Sequence, residues 1–195
     1  DANCLSWRPW WKGEKNGNAH AACCFQTDIW NGNKEATAST THNCRSAGVT
    51  DGKHGKNAEG SCGGHCDPDG CDFNAYRNGR HDFWGPWKTV DTRKNVTVVT
   101  QFLTESPPGD TESSSPRVGD SFSLAEVRRF YLQDGKLIGN AKTTNEQIPG
   151  GKWDSITDGY CAARAEAFSE PDGQADMGGL AKMGESFQRG HVLAL

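Results

Sequence analysis

The chain has 195 residues, a formal net charge of -4, 34% hydrophobic residues and a mean hydropathy of -0.77. This length suits one domain. The acidic balance provides no basic stripe to neutralise phosphates, which argues against nucleic acid as a partner. No run reaches the ~20 apolar residues that a membrane helix needs.

The 24 glycines and the scarcity of helix-forming runs point to a loop-rich, mostly β protein. In chain order, residues 4–12 carry Trp7, Trp10 and Trp11 and suit a loop or edge strand. Residues 22–31 suit a central strand. Residues 32–64 are polar and Gly-rich, with Lys53, His54 and Lys56, and are expected to form a long loop over a site. Residues 66–79 read as a knotted turn region. Val96 to Leu103 alternates two half-apolar faces, as the inner layer of a sandwich does. Residues 105–120, with Pro107-Pro108-Gly109 and Ser113-Ser114-Ser115-Pro116, form a hairpin insertion or loop. Ser123 to Gln133 is the next strand. Asp134-Gly135 turns it into a partner starting at Lys136. Ser155 is expected to cap a helix running to Phe168, and Met177 to Gln188 is a second helix ended by Gly190. Residues 191–195 read as a strand entering a core.

Eight cysteines in a hydrophilic chain indicate an oxidising compartment and disulfides. Cys62, Cys66 and Cys71 also have the spacing of a metal-ligand set. His20, His54, His65 and His81 do not. Asn95-Val96-Thr97 is an N-glycosylation sequon.

The stretch Cys23-Cys24-Phe25-Gln26-Thr27-Asp28-Ile29-Trp30-Asn31 has the shape of a catalytic strand. A retaining glycosidase needs two acids about 5–5.5 Å apart across a sugar bond. On a strand, residues i and i+2 face one side, roughly 6–7 Å apart. Acids placed as acid-x-acid-x-x-acid therefore meet around one bond if the strand bends. Here the pattern is Gln26-x-Asp28-x-x-Asn31, and only the middle acid is present.

Several segments resemble glycoside hydrolase family 7, the fungal and protist cellulases, in that family's order. They are Cys23 to Asn33, Thr40-Thr41-His42-Asn43-Cys44, Cys66-Asp67-Pro68-Asp69-Gly70-Cys71-Asp72-Phe73-Asn74, Tyr76-Arg77 and Phe83-Trp84-Gly85-Pro86. Thr89 to Thr92, Val98 to Phe102, Arg128 to Tyr131, Gln133 to Lys136, Ser155 to Asp158, Gly178 to Leu180 and Met183-Gly184 follow. The resemblance implies a concanavalin-like jelly-roll sandwich of antiparallel sheets with long loops and a few short helices. It also implies one domain segment over 1–195, a partial sandwich incomplete at both ends and completed by further segments or a further chain. It implies a secreted protein that processes β-1,4-glucan or a related polysaccharide without cofactor or metal.

The same resemblance makes Gln26 the position of the nucleophile, Asn31 that of the acid/base and Asp28 that of the acid between them. His42 corresponds to a histidine beside the acid/base. An amide neither attacks as a carboxylate nor donates a proton at ordinary pH. The resemblance further implies the disulfides Cys44–Cys66 and Cys71–Cys161. It pairs Cys23 and Cys24 with cysteines upstream of residue 1. Cys4 is a substitute partner, and Cys62 is left unassigned.

Asp67, Asp69, Trp84 and Trp87 are candidate sugar-binding residues, since aromatic rings stack on the apolar face of a pyranose. The Asp-Pro-Asp-Gly turn explains both aspartates structurally as well. Trp30 is expected in the core. Glu35 is a remote candidate for a displaced acid. Three functions follow: a family 7-like glucan-processing domain with impaired catalysis, an active cellulase with misread or relocated acids, and an extracellular structural protein on the same scaffold.

Overall fold

The computed structural model describes residues 21–45, 48–50, 66–105 and 123–193. The expectations for Cys4, the tryptophans of 4–12, Lys53, His54, Lys56, Cys62, His20, His65 and all but the first residue of the 105–120 insertion lie outside these residues.

The first sheet is built from β2 (Gln26–Gly32), β3 (Thr37–His42) and β5 (Cys71–Asn74), antiparallel and in that order. Separately, β1 (Ala21–Cys23) pairs antiparallel with β4 (Gly48–Thr50). The predicted loop over 32–64 is therefore interrupted by two strands, β3 and β4. The first, Thr37-Ala38-Ser39-Thr40-Thr41-His42, has no apolar alternation to announce it. Its β-branched residues and small side chains still suit a strand packed on both faces, and Ser39, Thr40, Thr41 and His42 are all buried. Among the described residues the strand predicted as central, β2, pairs on one side only, and β3 takes the middle.

The second sheet is organised around β9 (Leu124–Gln133). Along one side runs β8 (Thr97–Thr104), paired antiparallel from Thr97↔Leu132 onward. The other side is shared by β10 (Lys136–Gly139), opposite Phe130 to Gln133, and β11 (Ser155–Ile156), opposite Val127 and Arg128. The predicted hairpin is present: Asp134 (φ 51°) and Gly135 (φ 72°) both take positive φ, as a two-residue type I′ turn demands. Between the sheets lie Phe73, Leu124, Val127, Ile156, Tyr160, Leu180 and Met183. A second cluster joins Phe83, Trp84, Val90, Tyr131 and Ala141, around the parallel pair β6 (Trp84–Gly85) and β7 (Val90–Asp91).

Helix α1 (Asp158–Phe168) closes one end. Its cap is Thr157, whose hydroxyl accepts from the Tyr160 N–H at 3.1 Å. Ser155 is not the cap, because it is already committed to β11. The expected second helix, Met177 to Gln188, is present as α3 (Gly179–Gln188), and a short helix that was not expected, α2 (Gly173–Asp176), precedes it, with Gly178 at φ 97° between them. His191, Val192 and Leu193 form no strand and are exposed, so they do not enter the core.

Two disulfides match the implied pairing, Cys44–Cys66 and Cys71–Cys161. Cys24 is disulfide-bonded too. Around Cys71–Cys161 the polar groups are densely paired. The Tyr160 hydroxyl donates to the Asp72 carbonyl (2.9 Å) and accepts from Asn78 Nδ2 (3.0 Å). Burial pushes this phenol well above its ordinary pKa. Arg164, 5% exposed, reaches the Asp72 carboxylate, the Gly70 carbonyl (3.0 Å) and Glu170 (3.3 Å).

A candidate carbohydrate cleft on the β2 strand

Facing residues on antiparallel strands project to the same side of a sheet. Gln26 faces His42, Asp28 faces Thr40 and Asn31 faces Ala38. From 28 to 31 is three steps on β2 but two on β3, so β2 carries a bulge there. Without the bulge, Asn31, three residues beyond Asp28, would point away from Gln26 and Asp28. With it, all three share one face. Asp72 joins them through Thr40↔Asp72 on β5. The opposite face is interior: Thr27 donates to the Met183 sulfur (3.5 Å), Thr41 bonds to Gln174, and Phe73 is in the core.

On the outer face, Gln26 Nε2 donates to Asp28 Oδ1 at 2.7 Å. His42 Nε2 stands 3.8 Å from Asp28 Oδ2. The other ring nitrogen, Nδ1, lies 3.1 Å from the Asp67 carbonyl oxygen. A carbonyl only accepts, so Nδ1 carries the hydrogen and Nε2 is turned to Asp28. Gly70, at φ 70°, brings the 67–70 turn close against this pair. A Cβ on Gly70 would sit 2.6 Å from Thr40 Cγ2 and 2.7 Å from His42 Nδ1. Glycine is required there twice over, for its conformation and for the contact.

The structure thus brings Gln26, Asp28, Asn31 and His42 to one polar face. Gln26 and Asp28 are half-buried, His42 is buried and Asn31 is exposed. The other candidates fall elsewhere. Asp67 is buried, and its Oδ1 accepts from the N–H groups of Asp69 (3.2 Å) and Gly70 (3.0 Å), so it builds the turn. Asp69 is exposed beside it. Trp84 is 5% exposed, packs on Tyr131 and donates its indole N–H to the Asn33 carbonyl (2.8 Å), leaving no free ring face. The expectation for Trp30 is reversed in the same way. Carried in the bulge of β2, it is 48% exposed, with its ring 6.4 Å from Trp84. Trp87 is 77% exposed, on the loop between β6 and β7. Glu35 lies exposed in the β2–β3 turn, paired with Lys34 at 3.7 Å.

Asp72 was not singled out from the sequence. The signal was available in alternation: with Cys71 and Phe73 buried, Asp72 must face outward, where Arg77 (3.2 Å) and Arg164 meet it.

The family model described as Glycosyl hydrolase family 7 matches residues 1–195. The chain belongs to glycosyl hydrolase family 7. Among solved structures, a family 7 cellobiohydrolase from Daphnia pulex is 36% identical with a TM-score of 0.71, over 87% of this chain and 37% of that one. The Humicola insolens endocellulase is 31% identical, TM-score 0.67, with the same coverage. The cellobiohydrolase of Melanocarpus albomyces, solved with cellotetraose, is 27% identical with a TM-score of 0.66, over 87% of this chain and 35% of that one. The family 7 chain described here therefore spans little more than a third of the length of these relatives. Its antiparallel sheets are those of the family's β-sandwich, as the resemblance implied.

Proposed function

We propose that this family 7 chain forms part of a β-1,4-glucan-binding domain that acts outside the cell, with retaining hydrolysis lost or severely weakened. The observation that carries the reading is one face of β2. A bulge gathers Gln26, Asp28 and Asn31 there, but two of the three are amides, and Gln26 Nε2 is bonded to the lone carboxylate at 2.7 Å. Double displacement needs one carboxylate to attack and a second to deliver the proton. A single acid cannot be both, and Asp28 is held between an amide and His42.

What the face retains is recognition chemistry. The amides of Gln26 and Asn31 offer donors and acceptors to sugar hydroxyls. The half-exposed Trp30 offers an apolar ring at the same strand end. Asp69 stands exposed on the turn beside His42. The related solved enzymes are named as cellulases, and one holds cellotetraose. The disulfides suit an oxidising, extracellular setting.

The test is reducing-sugar release from soluble cello-oligosaccharides beside calorimetric binding of cellotetraose. The expected result is binding with no release above background. Hydrolysis should be detectable only when Gln26→Glu and Asn31→Glu are introduced together. Turnover by the native chain at ordinary cellulase rates would overturn the reading.

A further inference from the structure

A hollow of about 350 Å³ opens between the β6–β7 loop and the β9–β10 hairpin. Trp87, Lys88, Asp91, Arg93, Lys94 and Lys136 line it, and none of Gln26, Asp28, Asn31 or His42 does. We propose that it is a second carbohydrate site, separate from the β2 face, and that it takes an acidic pyranose: a sugar ring bearing a carboxylate or a sulfate.

The first support is the way Trp87 is held. Its φ is 60°, a backbone region that bulky side chains avoid, and its side chain gains little by way of burial at 77% exposure. Asp91 maintains that conformation. Its Oδ1 accepts from the Trp87 N–H at 3.1 Å. The same carboxylate accepts from Arg93 Nε at 2.9 Å and Nη2 at 2.5 Å. Arg93 then lays its guanidinium on the indole, 4.1 Å from the ring centroid. One carboxylate therefore fixes both the backbone of an exposed aromatic ring and the cation behind it. Such rings serve as platforms for the C–H face of a sugar.

The second support is charge. Four cations (Lys88, Arg93, Lys94, Lys136) meet two carboxylates (Asp91, Asp134) around the hollow, a surplus of two positive charges. Arg93 is paired with Asp91, and Lys94 with Asp134 at 2.6 Å. Lys88 and Lys136 make no ion pair among the described residues. The Lys88 stem lies over Gly85, where a Cβ would come within 3.0 Å of its Cδ and Cε, so the missing side chain lets the amine settle at the rim. A chain of net charge -4 thus places two uncompensated ammonium groups beside an open aromatic face. The ring and the amines act together, and a neutral glucan, which leaves the amines unpaired, is not retained here. An acidic sugar uses both.

Calorimetric titration of the chain with a tetragalacturonate, a sulfated galactan tetrasaccharide and cellotetraose tests this. At least one acidic probe should bind, more weakly as salt rises, and the stronger of the two identifies carboxylate or sulfate. Trp87→Ala should weaken that binding about tenfold, the size of loss expected for an aromatic face. Lys88→Gln with Lys136→Gln should weaken it similarly and abolish the salt dependence. Neither variant should change cellotetraose binding or the melting temperature. The proposal fails if neither acidic probe binds, if both variants bind it as the native chain does, or if Trp87→Ala weakens cellotetraose binding in parallel. Since the readout is binding of acidic sugars, the result is independent of whether the β2 face hydrolyses glucan.

Discussion

Tyr160 on α1 bonds to β5 and Asp28 sits on β2, two strands along the same sheet, yet their surroundings are built in opposite ways. At the Tyr160 end, buried polar groups are tied to several partners each, and a disulfide spans 90 residues of sequence. On β2, side chains are half-buried or exposed, and Gln26–Asp28 is a contact between near neighbours in sequence. Folding depends on the first region, so changes there are costly. The second face can change its chemistry while the backbone stays in place, and that is where the two amides are found.

Mutations should separate the two regions by magnitude. The largest effect is expected from Cys71→Ser with Cys161→Ser. Opening a loop of that span costs about 4 kcal/mol, read as a melting temperature lower by about 10 °C. Arg164→Ala should come next, at about 3 kcal/mol in denaturant unfolding, because it leaves the Asp72 carboxylate without its buried cation. Asp28→Asn should cost less than about 0.5 kcal/mol by the same measurement. An equal loss at Asp28 and Arg164 would erase the distinction.

The smallest effect concerns acid. Arg93 beside Asp91 holds its carboxyl well below the usual carboxylate range. A depressed folded pKa contributes stability that is complete above the unfolded value, about 3.9, and is lost as pH falls through the folded value. Melting temperatures at pH 6 and pH 3 should therefore differ less in Asp91→Asn than in the native chain. The variant should already be the less stable at pH 6.

Where a residue's neighbours in sequence determine its conformation, the fold was legible. Asp134-Gly135 predicted the β9–β10 turn because Asp-Gly is among the few dipeptides that suit positive φ at both positions. Strand β3 was missed because burial there rests on hydrogen bonds: Thr41 reaches Gln174, and Asn43 reaches the Gly179 carbonyl at 2.6 Å, partners more than 130 residues away. Thr157 and Ser155 are equally good caps in isolation, and pairing of Ser155 with Arg128 across the sheet decides between them. Trp30 and Trp84 exchanged roles for a related reason. Hydrophobicity says that a tryptophan wants cover, but only the bulge in β2 says which one receives it. At the candidate site the sequence located Gln26, Asp28, Asn31 and His42. It could not distinguish Asp67, which shapes a turn, from Asp69, which faces solvent.

The extra residue between Asp28 and Asn31 makes the composition of this surface a question of counting as well as of identity. Deleting one position there would restore even pairing with β3. Asn31 would then sit two steps from Asp28, still opposite Ala38 and on the same face, and the strand would lose one of the exposed side chains, Ile29 or Trp30, that the bulge accommodates. Length changes at this point therefore thin or crowd the rim of the face while the Gln26, Asp28 and Asn31 stations keep their side of the sheet.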